Sequence, residues 1–334
     1  MTQNLRAELV VDATPIEKLT HLSDQLGIEL LVKRDDLAGT TLGGNKSRQL
    51  EYYLGAALAA KADTILITGA VQSNFVRTAA ASAAKLGLRT IVQLEARVPH
   101  QDAVYQSSGN VLLNRLLGAE IIYFPKGEDE AAADASLHAR AELERQKGRR
   151  PYVIPLALGN PPLGALGYVD ASKEILSQTT QFDFVVVASG SGLTHAGLLA
   201  GLYQLGHPAR VIGSCVRRNA VMQHDRIRTV LNNLAPLMDP GTTVPTEKID
   251  IWDGALAPGY GLIGQAALDA MKSMAQAEGL MLDPVYTAKV FAAIPALVQS
   301  GKVPKGSRVL FVHTGGLASL FAYQTDLDRL LGAE

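Results

Sequence analysis

Short β-branched apolar runs alternate with longer Ala- and Leu-rich stretches along most of this chain. The runs predict strands at residues 64–68, 90–94, 121–124, 152–154, 184–188, 211–216 and 309–313. Helices are predicted near residues 74–86, 103–117, 131–146, 168–176, 193–205, 220–234, 266–278 and 287–299. One more helix follows Lys46, with Leu50, Tyr53, Leu54, Ala57 and Leu58 at helical spacing as its apolar face. The strand candidates are continuously apolar instead of alternating, which is the pattern of parallel sheets covered on both faces. An α/β architecture is therefore expected. At 334 residues it should divide into two units, with glycine and proline clusters at 39–44 and 158–163 as the candidate breaks.

Composition narrows the function classes. The formal net charge is −1, and no basic run with interleaved aromatics occurs, so a nucleic-acid partner is not expected. The lone cysteine, Cys215, has no disulfide partner and no metal-ligand spacing, so no metal is expected. Residues 1–7 carry no apolar run of the signal-peptide type, and a cytoplasmic protein is the simplest reading. Residues 184–206 contain no Asp, Glu, Lys or Arg and are long enough to span a bilayer. Their centre reads Ala-Ser-Gly-Ser-Gly-Leu-Thr-His, which suits a buried strand, a glycine loop and a buried helix better than a membrane span.

Three turns carry candidate chemistry. Gly43-Gly44-Asn45-Lys46 places a lysine at a helix start behind two glycines that allow a tight turn. A lysine desolvated there can act as an amine nucleophile, although a solvated turn is the plainer reading. Ser189-Gly190-Ser191-Gly192-Leu193-Thr194 follows a buried strand and opens a helix, an arrangement that can cradle one phosphate or simply connect two elements. It lacks the Gly-Lys-Ser/Thr of a nucleotide P-loop and the full dinucleotide fingerprint. Gln72-Ser73-Asn74 again joins strand to helix, offering amide and hydroxyl groups for a carboxylate or phenolic oxygen, or ordinary N-capping. A one-phosphate cradle with a separate glycine-flanked lysine suggests pyridoxal 5'-phosphate.

Taken together, these stretches resemble the fold-type II pyridoxal-phosphate enzymes, in the branch that holds 1-aminocyclopropane-1-carboxylate deaminase and D-cysteine desulfhydrase. The matching segments are Lys33-Arg34-Asp35-Asp36, Gly43–Lys46, Gln72–Asn74, Ser189–Thr194, Leu282-Asp283-Pro284-Val285-Tyr286 and His313-Thr314-Gly315-Gly316, in family order over nearly the whole chain. The resemblance implies a tryptophan synthase β-like fold of two parallel-sheet α/β domains with the cofactor in the cleft between them. It implies a large cofactor-binding domain from residues 1–46 and 158–334, and a small α/β domain from 47–157. Lys46 would bind the cofactor covalently, Asn74 its phenolic oxygen, and Gly190, Ser191, Gly192, Leu193 and Thr194 its phosphate. Tyr286, Thr287 and Thr314 would lie about the pyridine ring. Gln72, Ser73, Asn74 and Tyr260 would meet a small amino-acid substrate, and Lys46, Tyr286, Tyr260 and Ser73 form the expected catalytic set. A homodimer is expected by family analogy alone.

Two positions separate the branches. The deaminases place Glu after the ring-facing tyrosine and Leu before the paired glycines, whereas this chain has Thr287 and Thr314, the desulfhydrase pattern. A carboxylate at the pyridine nitrogen strengthens the electron sink, and a hydroxyl gives a weaker one that suffices for a good leaving group such as sulfide. The expected reaction is α,β-elimination from D-cysteine to pyruvate, sulfide and ammonia, a carbon–sulfur lyase of amino-acid metabolism. The rivals are ring-opening deamination, elimination of sulfite from cysteate, and a non-catalytic cofactor-binding protein. Phe75 departs from the family, which commonly has His or another polar residue there. It is either a harmless substitution facing the small domain or the loss of a donor to substrate.

Overall fold

The computed structural model describes residues 5–99, 102–238 and 242–332. Residues 1–4 of the N-terminal stretch judged above lie outside them, as do the last two residues of the expected large domain. The strands are β1 (Ile16–Lys18), β2 (Glu29–Lys33), β3 (Thr64–Ala70), β4 (Arg89–Glu95), β5 (Glu120–Phe124), β6 (Pro151–Ile154), β7 (Phe184–Ser189), β8 (Arg210–Cys215), β9 (Asp250–Trp252) and β10 (Arg308–Val312). They form two sheets, one of six strands in the order β1-β2-β10-β7-β8-β9 and one of four in the order β5-β4-β3-β6. All pairings are parallel except β1 with β2.

The first helices are α1 (Thr20–Leu26), α2 (Lys46–Ala59), α3 (Asn74–Lys85), α4 (Ala103–Ser107), α5 (Gly109–Leu116) and α6 (Glu130–Gln146). They are followed by α7 (Leu163–Gln178), α8 (Leu193–Gln204), α9 (Ala220–Leu234), α10 (Gln265–Glu278), α11 (Thr287–Gln299), α12 (Leu317–Ala322) and α13 (Gln324–Leu331). Apolar side chains fill both faces of the larger sheet: Val185, Val187 and Leu310 pack toward α7 and α8, and Val186, Ile212 and Phe311 pack toward α10 and α11. The smaller sheet buries Ile65, Ile67 and Val92 against α2 and α3, and Leu66 and Ile91 against α6. No helix among the described residues is long and apolar enough to cross a membrane, and residues 184–206 fold as β7, a loop and α8.

Several elements differ from the sequence expectation. Strand β2 carries a charge at each end, and its Lys33 is fully buried because Glu174 lies 2.5 Å from its ammonium. A local pattern cannot show that a distant carboxylate makes this lysine tolerable in a core. The single helix expected over 103–117 is two, because Ser108 is extended (φ −94°, ψ −173°) between α4 and α5. On α2, Leu50, Tyr53, Leu54 and Ala57 are buried as expected, but Leu58 is 40 % exposed.

Parallel strands put the following loops at their carboxyl ends, where α/β sheets bind ligands. The loops after β3, β4 and β6 of one sheet and after β7 and β8 of the other line a single cavity. That cavity is the candidate site.

Candidate active site

The lysine turn is built from backbone conformations that few residues accept. Thr41 (φ 44°), Leu42 (φ 58°), Gly43 (φ 59°) and Gly44 (φ 117°) all have positive φ. A Cβ at Gly43 would come within 1.6 Å of the Asp36 carbonyl oxygen, so only glycine lets the turn fold back this far. Lys46 is the first residue of α2, and its Nζ lies 3.4 Å from Gln49 Oε1 and 5.6 Å from the Phe75 ring centroid. No carboxylate among the described residues pairs with it. Burial without a counter-charge lowers its pKa to about 8. A lysine in that state holds an amine ready to attack or to accept a proton.

Facing it is the loop after β7. Gly192 (φ 97°) caps α8, a conformation that costs a glycine little. Arg218 and Gln223 donate to the Gly190 carbonyl, both at 3.2 Å, and Arg226 Nε donates to the Ser191 carbonyl at 2.8 Å. Among the described residues, none of the backbone hydrogen bonds outside helices and strands uses the N–H of Gly190, Ser191 or Gly192. Thr194 Oγ1 accepts from Asn45 Nδ2 and from Gln49 Nε2, each at 2.8 Å, so its own hydrogen is left to donate. Free N–H groups, a hydroxyl donor and the N-terminus of α8 fit one phosphate. Ser189, by contrast, is fully buried and bonded to His195 and Gln223 behind the loop.

At the start of α3, Ser73 is the N-cap and accepts from Val76 N–H at 3.3 Å, while it also lines the cavity. Asn74 lines it too, with its oxygen accepting from Asn110 Nδ2 at 2.9 Å. Gln72 departs from expectation. Its amide donates to the carbonyls of Tyr105 (2.6 Å) and Ser108 (3.0 Å), and its oxygen accepts from Asn110 N–H at 2.8 Å. The side chain staples α4 and α5 to the turn and does not face the cleft, so it is not placed to touch a substrate.

Tyr260 and Tyr286 both line the cavity, with hydroxyls 2.7 Å apart and rings edge to face at 6.2 Å. Burial, and then the neighbouring Tyr260, raise the Tyr286 phenol well above its usual range, so it holds its proton. Thr314 lines a smaller pocket that adjoins the cavity at Lys46, together with Asn45, and its carbonyl accepts from Asn45 N–H at 3.2 Å. Thr287 does not. It is fully buried, accepts from Asp283 N–H at 2.7 Å and donates to Asp283 Oδ1 at 2.8 Å, which makes it a brace for the turn that carries Tyr286. Phe75 reconciles its two readings: it packs edge to face on Tyr53 at 6.2 Å and also lines the cavity beside Lys46.

Sequence reasoning missed a charged wall. Arg97, Arg217 and Arg226 line the cavity, and Glu130 accepts from Arg217 (2.7 Å), Arg218 (2.8 Å) and Arg226 (3.2 Å). Glu130 opens α6, beside the smaller sheet, while the arginines follow β8 and occupy α9 beside the larger one, so this contact ties the two units across the cleft. The pair Arg217-Arg218 could have been found by its place after a parallel strand. Glu130 could not.

Comparison with known proteins agrees with this geometry. The family model described as pyridoxal-phosphate dependent enzyme matches residues 7–315. D-cysteine desulfhydrase of Yersinia pestis (strain Pestoides F) is 44 % identical over 326 residues, 97 % of each chain. D-cysteine desulfhydrase of Salmonella choleraesuis (strain SC-B67) is 40 % identical over 326 residues, again 97 % of each. Among solved structures, an ACC deaminase homologue superposes with a TM-score of 0.86 at 34 % identity, covering 99 % of this chain and all of that one. O-ureido-L-serine synthase shares the fold, with a TM-score of 0.68 at 18 % identity over the whole of both chains.

Proposed function

Because this chain belongs to the fold-type II pyridoxal-phosphate dependent enzymes, in the branch of D-cysteine desulfhydrase and 1-aminocyclopropane-1-carboxylate deaminase, we propose that it eliminates sulfide from D-cysteine. The observation that carries the reading is Lys46, a buried unpaired amine beside the glycine loop that opens α8 and a pair of hydrogen-bonded tyrosines. Bound pyridoxal phosphate supplies the electron sink for breaking the Cα–H bond. Gly190–Gly192 and Thr194 would hold its phosphate, and the Asn74 amide would donate to its phenolic oxygen. Ser73, at the N-terminus of α3, receives the substrate carboxylate. Lys46 takes the Cα proton, which an amine of pKa near working pH does well. The Tyr260–Tyr286 pair holds a proton that can pass to the departing sulfur. With one water consumed, D-cysteine gives pyruvate, sulfide and ammonia.

The names of the relatives, at 40–44 % identity over 97 % of each chain, support a sulfur leaving group, and Thr314 at the adjoining pocket supports the weaker electron sink. A second reading has its own observation. Arg217 Nε is buried without a partner beside the Tyr260 ring, and Arg97 and Arg226 line the same wall, which favours an acidic β-substituent such as the sulfonate of cysteate. Assay against D- and L-cysteine, D- and L-cysteate and 1-aminocyclopropane-1-carboxylate separates these readings. Sulfide with pyruvate from D-cysteine is the expected result; sulfite from cysteate would favour the second reading, and ring-opening alone would overturn both. Borohydride reduction with peptide mapping should place the pyridoxyl group on Lys46.

We also propose the division into residues 1–46 with 158–334 and 47–157. All four strands of the smaller sheet fall inside the second segment and all six of the larger sheet outside it, which supports that division. The homodimer and cytoplasmic setting rest on family analogy and composition, and sedimentation of the native chain tests the first.

A further inference from the structure

Arg77 is among the largest fully buried side chains, and no carboxylate among the described residues pairs with it. Its partners are all neutral oxygens. Nη1 donates to the carbonyls of Thr41 and Gly43 (3.3 Å) in the lysine turn, and Nε donates to Asn110 Oδ1 at 3.1 Å. Asn110, also fully buried, passes both amide hydrogens on: one to the Gln72 carbonyl at 3.0 Å, the other to Asn74 Oδ1 at 2.9 Å.

The order of donors in this chain is forced. A guanidinium can only donate, so Asn110 must turn its oxygen to Arg77. A backbone carbonyl can only accept, so the opposite end of Asn110 must be its NH2 group. That NH2 requires Asn74 to present its oxygen inward, which leaves the Asn74 NH2 toward the cavity. We infer that Arg77, acting through Asn110, is the positioning residue that makes Asn74 a donor at the cavity and ties that choice to the turn carrying Lys46. The inference rests on the proposed cofactor site, because a donor at Asn74 matters where an anionic phenolic oxygen is to be held. An amide with no such constraint could turn over and present an acceptor, which repels that oxygen.

Asn110→Asp is the sharpest test. Aspartate keeps the size and adds a counter-charge for Arg77, but it can only accept, so Asn74 must turn its NH2 toward it and its oxygen toward the cavity. Cofactor affinity of the purified protein should fall roughly 10- to 100-fold, the loss expected when a hydrogen bond to a charged group is replaced by an acceptor. The pH at which the bound cofactor's absorption band changes should move upward, since the phenolate loses its donor. Arg77→Met should move both readouts the same way, and Arg77→Lys, which keeps a donor, should recover most of the shift. Should Arg77→Met not fold, Asn110→Asp decides alone. A wild type that binds pyridoxal phosphate, with affinity and band position unchanged in Asn110→Asp, would overturn this inference only. A wild type that binds none would overturn the site reading and this inference with it.

Discussion

Lys46 and Arg48 stand two residues apart at the start of α2, and the fold treats their charges in opposite ways. Arg48 enters a buried network: Nη2 lies 3.0 Å from Asp35, Nη1 lies 2.7 Å from Glu174, and Glu174 also holds Lys33 at 2.5 Å. Two cations meet two carboxylates, and Thr14 and Tyr168 donate the remaining hydrogen bonds to Asp35 at 2.7 and 2.6 Å. Burial alone would lower the Arg48 pKa, but Asp35 and Glu174 raise it on balance, so it never gives up its proton. Lys46 has burial without the carboxylates, and its pKa falls to about 8. Neighbouring positions on one helix thus separate scaffold from chemistry: a paired charge fixes structure, while an unpaired one can change state.

The widest gap between them should appear in activity. Lys46→Ala removes both the attachment point and the base, so pyruvate production should drop by about 10³-fold or more. The unfolding midpoint should not fall, as no ion pair is lost and a buried charge is removed. Measured activity within tenfold of wild type would erase the contrast.

Breaking the paired side should do the reverse. Asp35→Asn leaves Arg48 and Lys33 short of a carboxylate in the core and should cost about 3–5 kcal/mol in urea unfolding. The rate per folded molecule should stay near wild type. If the variant kept its stability and lost its rate, the network would belong to the active site.

The pH dependence of the two cations sharpens the comparison further. In cofactor-free protein, acylation of Lys46 should reach half its maximal rate near pH 8, because only the neutral amine reacts. Its folded pKa lies below its ordinary value of 10.5, so between those two values the unfolded chain holds a proton that the folded chain has released. Lys46 therefore makes stability rise with pH through that window, and Lys46→Met should flatten the rise. Half-maximal labelling at the pH of exposed lysines would show that burial does not govern this amine.

The smallest effects divide the two threonines. Thr287→Val removes a brace bonded to Asp283 and should cost about 1 kcal/mol while leaving the substrate preference unchanged. Thr314→Leu alters a pocket wall and should change the ratio of D-cysteine elimination to ring-opening with little loss of stability. A swapped outcome, with preference following Thr287 and stability following Thr314, would exchange the two roles.

Local sequence determined a good deal here. Continuous apolar runs marked seven of the parallel strands and the glycines marked the turns, while Lys46, Ser73, Asn74, both tyrosines and the Gly190–Thr194 loop lie about two adjoining pockets that share Lys46, Asn74, Gly190, Ser191 and Tyr286. The strands and the three turns depend on backbone geometry and side-chain type within a few residues, and so they can be read from spacing, whereas the two tyrosines were named by the family resemblance. Tertiary structure alone decided the rest. Lys33 is buried in β2 because Glu174 reaches it from α7, Gln72 faces away from the cleft because α4 and α5 offer it carbonyls, and Thr287 braces Asp283 instead of facing a ligand. The Glu130 contact to three arginines joins elements nearly a hundred residues apart. Which way a polar side chain turns is set by the donors and acceptors that distant segments bring to it, and those partners leave no trace in the local pattern.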